Sequence, residues 1–142
     1  MQIVTPEEIA AVMSLTAAPH TFSELDFMVR NGLPKSALRI SVDHVGRNTE
    51  ERNTLLYSII AEATYKRRRD RLTPDESEKT ERLARVFATA EHVWGSDTDA
   101  REFLHTPHPL LDRQTPLQVS MTELGARRVE ELLWKLFYGL PA

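Results

Sequence analysis

Hydrophobic residues along this chain recur three and four positions apart rather than alternating, which predicts helices throughout and no strand. The clearest case is the last segment. Val129, Leu132, Leu133, Leu136 and Phe137 fall at i, i+3, i+4, i+7 and i+8, one apolar stripe on a helix over 124–138. Gly139 is placed to end that helix and Pro141 to keep it from resuming. Terminal peptides are usually polar and frayed. A helix that aims the compact apolar peptide Leu140-Pro141-Ala142 outward suggests that the peptide enters a partner. The plainer alternative is a helix docked on its own core with an idle tail.

The remaining elements follow from the same periodicity and from legible start signals. Thr5-Pro6-Glu7-Glu8, Thr73-Pro74-Asp75-Glu76 and Thr115-Pro116-Leu117-Gln118 each read as a capping box with proline at the first helical position. Thr21-Phe22-Ser23-Glu24 is a fourth box without the proline. The predicted helices span 6–14, 22–31, 35–45, 49–62, 74–94, 97–104, a short turn at 116–120, and 124–138. The fold class is all-α. A composition shift near Asp70–Thr73 divides the chain into residues 1–70 and 71–142.

Length and composition narrow the function. At 142 residues the chain is one domain or two small ones, long enough to bury a core without staples. It has no cysteine, so disulfides and thiolate metal sites are excluded, which suits a reducing cytoplasm. No apolar run approaches the roughly 18 residues of a membrane span. The first residues lack the basic and apolar regions of a secretory signal. A cytoplasmic location is expected. The net charge of −3 is unevenly placed: residues 1–29 hold four acidic and no basic side chains, whereas residues 30–71 hold ten Lys/Arg against five Asp/Glu. Such a basic island suits phosphates or an acidic partner, or forms a solvated helix face.

Two segments fit DNA. Phe22 to Arg39 reads as helix, Asn31-Gly32 turn, helix, the geometry of a helix-turn-helix, with Lys35, Ser36 and Arg39 at the start of the second helix. Lys35 and Ser36 suit phosphate, and Arg39 suits a base edge. A packed helical hairpin reads equally well. The run Lys66-Arg67-Arg68-Arg69 cannot lie on one helix face and would straddle phosphates, serve as a solvated connector, or pair with acidic partners within the protein. His105-Thr106-Pro107-His108-Pro109 has two imidazoles three apart, but its prolines predict an extended loop and no further ligands are evident. His20, His44 and His92 read as ordinary surface or half-buried residues. No glycine-rich phosphate loop, Gly-x-Ser-x-Gly motif or cysteine nucleophile is present, so neither catalysis, metal nor cofactor is expected.

A set of ordered short motifs runs through the second half: Glu81-Arg82-Leu83-Ala84-Arg85-Val86, Ala90-Glu91-His92-Val93-Trp94-Gly95, Ala100-Arg101-Glu102-Phe103-Leu104, Thr106-Pro107-His108-Pro109-Leu110-Leu111, Thr115-Pro116-Leu117, Thr122-Glu123-Leu124-Gly125-Ala126-Arg127-Arg128-Val129 and Gly139-Leu140-Pro141-Ala142. Over about residues 74–142 these resemble the toxin-binding domain of Xre/MbcA/ParS-type antitoxins. Residues 20–70 are similar to that family's Xre-like helix-turn-helix portion. The resemblance implies a RES-domain toxin as partner, one that degrades NAD or uses it for ADP-ribosylation. It implies that the C-terminal end blocks the toxin's NAD pocket, with contacts expected from Arg127, Arg128, Glu131, Trp134, Lys135, Tyr138, Gly139, Leu140, Pro141 and Ala142. It further implies autorepression at operator DNA through the N-terminal domain, where the residue pattern offers Lys35, Ser36, Arg39, Lys66, Arg67 and Arg68 as contacts. A homodimer is expected, because helix-turn-helix repressors read two half-sites. The alternative function is a stand-alone DNA-binding regulator. The chain departs from the family pattern at Asp112-Arg113-Gln114, where a glycine is common, and at Phe103, where tryptophan is common.

Overall fold

The computed structural model describes residues 3–139. These form the helices α1 (Pro6–Met13), α2 (Phe22–Arg30), α3 (Lys35–Val45), α4 (Thr49–Ile59), α5 (Glu62–Arg67), α6 (Pro74–Trp94), α7 (Asp97–Leu104), α8 (Pro116–Val119) and α9 (Glu123–Phe137), with a short 3-10 turn at Pro109–Leu111. Among the described residues there is no strand, only an isolated antiparallel bridge between Pro34 and Arg71. None of the described helices is long and apolar enough to cross a membrane.

The caps explain most of the boundaries. Thr5, Thr73 and Thr115 each form the full reciprocal box, with Glu8, Glu76 and Gln118 as partners. The fourth box is only half made. The Glu24 amide donates to Thr21 Oγ1, but the Glu24 carboxylate accepts from the His20 amide at 2.7 Å instead of from Thr21.

Three expectations are corrected. The helix predicted over 49–62 stops at Ile59, and α5 begins after Ile60 and Ala61. Ile60 leaves the helix in an extended conformation and, like Ile59, is buried in the core. Consequently Lys66 and Arg67 lie on a helix, not in a connector. The loop expected to be extended at 105–109 instead leads into the 3-10 turn. Pro109 opens it, where no N–H is needed, and His108 Nδ1 accepts from the Leu110 amide.

The long helix α6 is the hub. It packs against α1, α2, α3, α7 and α9, with Val86, Phe87, Ala84 and Ala90 fully buried. One apolar cluster runs without a break from Val4 through Leu38, Leu56 and Phe87 to Leu133 and Trp134. The segment just before α6 is pinned as well. The Lys35 amide donates to Asp70 O, the Leu72 amide to Leu33 O, and the Arg71 guanidinium to Gly32 O. The portions expected at 1–70 and 71–142 are thus joined by a shared core and a fixed crossing.

Candidate functional site

The terminal helix α9 starts close against α8. A Cβ at Gly125 would collide with the carbonyl oxygen of Val119, so only glycine permits this approach. Ala126, Val129, Leu132 and Leu133 then line the buried face. The expected apolar stripe breaks at its far end. Leu136 and Phe137, the last two positions of the stripe, are 37% and 44% exposed, and Tyr138 is 52% exposed. Trp134 takes the core place instead, at 6% exposure. The stripe outruns the body it packs on, so its last turn projects. Tyr138 caps the helix, and Gly139 has φ 64°, the left-handed conformation in which glycine ends helices at no steric cost. Leu140, Pro141 and Ala142 lie outside the described residues.

The residues expected to touch a toxin divide accordingly. Tyr138 and Gly139 are exposed at the tip, with Tyr138 edge-to-face on Phe137 at 5.1 Å. Arg127 and Arg128 lie exposed on the flank, where Glu131 pairs with Lys135 at 3.3 Å. Trp134 faces inward and supports the tip from below, edge-to-face with Phe137 at 5.5 Å. Sequence reasoning missed a neighbour of this tip: Trp94 and Phe103 stack at 5.8 Å and, with Leu136, line a shallow hollow of about 470 Å³. At the turn where the family commonly has glycine, near Arg128, Asp112 and Arg113 both take left-handed φ (56° and 62°). Each such residue costs on the order of 1 kcal/mol or more.

Beneath the start of α9 lies a half-buried charge cluster. Arg85 of α6 bonds Glu123 at 2.6 Å and sits 3.1 Å from Glu130 and 3.8 Å from Glu81. The approach to Glu130 is off-axis, so Arg85 Nε has no hydrogen-bond partner. Burial raises the Glu81 and Glu130 carboxyls above the usual range despite Arg85. Burial also opposes the charge on Glu123, but hydrogen bonds from Arg85 and Arg82 outweigh it and hold that carboxyl low.

The residues expected to touch DNA are brought together only in part. Lys35 is half-buried, donates to Arg68 O at 3.0 Å and lies 4.3 Å over the Tyr65 ring. Arg68 is committed elsewhere: its guanidinium grips Glu76 with two hydrogen bonds of 3.0 and 2.9 Å and holds that carboxyl below its usual range. Neither side chain is turned outward, because both tie the α3–α6 crossing. Arg39 pairs with Asp43 at 3.5 Å, Lys66 pairs with Glu62 at 3.4 Å, and Ser36 is exposed. Arg67 and Arg69 are exposed and in no ion pair among the described residues. Helix α4 is followed, after Ile60 and Ala61, by the short helix α5, which carries Lys66 and Arg67.

Comparison with known proteins adds to this geometry. Residues 24–85 match the antitoxin Xre-like helix-turn-helix domain, and residues 89–139 match the antitoxin Xre/MbcA/ParS C-terminal toxin-binding domain. The chain is 37% identical over 84 residues to Antitoxin Xre of Pseudomonas putida, covering 57% of this chain and 53% of that one. It is 35% identical over 71 residues to Antitoxin Xre of Yersinia enterocolitica, covering 49% and 48%. The chain thus spans about half the length of these curated relatives. The two matched stretches meet inside α6 and follow one another along the shared core, and the chain belongs to the Xre/MbcA/ParS-type antitoxin family.

Proposed function

We propose that this chain is an antitoxin that binds a cognate RES-domain, NAD-consuming toxin and neutralises it by seating its C-terminal end in the toxin's active site. The supporting observation is the end of α9. Leu132, Leu133 and Trp134 anchor the helix, while Leu136, Phe137 and Tyr138 leave the core together and carry the chain outward at Gly139. A rigid helix that presents an aromatic tip loses little entropy on docking. The match to a toxin-binding domain supports a toxin as partner, and the RES-domain class and non-enzymatic inhibition are parts of this reading.

Deleting Leu140–Ala142 is the test. The truncated chain is expected to lose rescue of cells expressing the neighbouring toxin while still capturing that toxin in a pull-down, because the α9 flank with Arg127 and Arg128 is intact. Full rescue by the truncated chain would rule out the plug.

A second activity, autorepression at operator DNA by paired copies of the chain, is favoured by the exposed cations of α5. Arg67→Ala is expected to weaken binding to the chain's own upstream DNA and to lower the salt slope by about one unit per copy bound, or about two for a pair. Arg68→Ala should instead act through stability, since Arg68 is held by Glu76. A mobility shift across a salt series separates the two effects.

A further inference from the structure

Helix α1 precedes both matched stretches, the first of which begins at residue 24. Yet it packs on α6 and reaches the base of the projecting tip. The contact runs through His92 on the last turn of α6. This residue, expected to be an ordinary surface or half-buried histidine, lies 3.2 Å from Glu8 through its Nδ1. The face of the same ring lies 5.3 Å from Trp134 and 5.5 Å from Phe137. Both oxygens of Glu8 are in use: Oε1 accepts from the Thr5 amide in the capping box and Oε2 meets His92. The carboxylate is therefore fixed by the first turn of α1. The imidazole in turn braces two aromatic residues three apart on α9, and Phe137 braces Tyr138.

We propose that α1 is a positioning element for the inhibitory end of the chain: Glu8 holds the His92 ring against Trp134 and Phe137 and so sets the direction in which the chain leaves α9. This rests on the antitoxin reading above. The position of His92 explains why the end of α9 keeps a defined course although Leu136, Phe137 and Tyr138 are exposed. Ordinary exposed helix ends fray. Here three rings and a fixed carboxylate replace the missing core.

The chemistry makes the proposal separable from simple scaffolding. Glu8 and His92 are both partly solvent-exposed, so alanine at either position leaves the apolar core of Phe87 and Leu133 in place. Glu8→Gln retains side-chain length and one acceptor, and serves as the conservative rescue.

The test uses the full-length protein, the toxin encoded beside it, and two readouts. In the free protein, Glu8→Ala and His92→Ala are expected to speed amide exchange at Trp134–Gly139 at least tenfold while leaving α3 and the middle of α6 unchanged. Glu8→Gln should restore most of the protection. Against the toxin, each alanine variant should raise the concentration needed for half-inhibition about tenfold, yet add nothing further in a chain lacking Leu140–Ala142. Unchanged exchange at 134–139 overturns the proposal, as does an equal loss of inhibition with and without the last three residues. If the deletion alone leaves inhibition intact, the antitoxin plug fails, while the exchange result still decides whether α1 holds the helix end.

Discussion

Gly125→Ala is expected to weaken toxin capture at least tenfold and to lower the melting temperature by several degrees. The new methyl group would meet the Val119 carbonyl oxygen, with Thr122 Oγ1 also close. The obstacle is backbone, which cannot rotate aside like the end of a side chain, so α9 or α8 must shift. Overpacking of this kind costs roughly 1–3 kcal/mol. The shift enters at the first turn of α9 and is carried along a rigid helix to Phe137 and Tyr138. The side chain sits far from the tip, so any loss of capture reports misplacement of the helix and not a lost contact. Gly95→Ala is the control. Nothing lies near a Cβ there, so it should cost on the order of 1 kcal/mol for its left-handed φ and leave capture unchanged. Thermal melts and a toxin pull-down on both variants check this. Equal behaviour of the two would show that the α8–α9 approach is not the constraint.

Phe87→Ala is expected to destabilise by about 3–5 kcal/mol and to do so for the whole chain in one transition. Phe87 is fully buried in α6, its ring 5.5 Å from that of His44, and falls in the short gap between the two family matches. If the two matched stretches were independent units, damage at their junction would leave one of them protected. The unbroken apolar cluster predicts otherwise. Amide exchange in α3 and α9 should rise together, and chemical denaturation followed at both ends should give coincident curves. Protection that survives in α9 alone would contradict a shared core.

Much of the helical framework was legible because its signals are local. Thr-Pro-x-Glu at residues 5 and 73 and Thr-Pro-x-Gln at 115 place donors and acceptors within one turn, and no distant contact overrides them. The misses share a different cause. Whether 49–62 is one helix or ends at Ile59 depends on where Ile60 finds a cavity, which is tertiary information. For Arg68 the sequence left phosphate and an acidic partner within the protein both open, because it shows the near neighbours but not Glu76, eight residues on, folded back against it. Leu136 and Phe137 read as part of one apolar stripe, but periodicity reports which face a residue occupies and not where the facing body ends. His92 carried no local signal at all. Its partners Glu8 and Trp134 come from opposite ends of the chain. The expected contacts at Leu140, Pro141 and Ala142 belong with the proposals, since they fall beyond the described residues.

Helix α6 has 21 residues, a rod of about 30 Å that carries the turn before it at one end and the brace of the C-terminal tip at the other. No glycine, proline or π-bulge interrupts it after Pro74, so it offers no hinge. Such a rod offers no joint within α6 through which one end could bend in response to the other. Communication between a partner at α9 and a partner at α5 would therefore be a matter of surveying: how far apart the two are held, at what angle, and whether a bulky guest at one end overlaps whatever a neighbouring copy has bound. Inserting or deleting a single residue in the middle of α6 would rotate the two ends by about 100° against each other and reset that layout at a stroke.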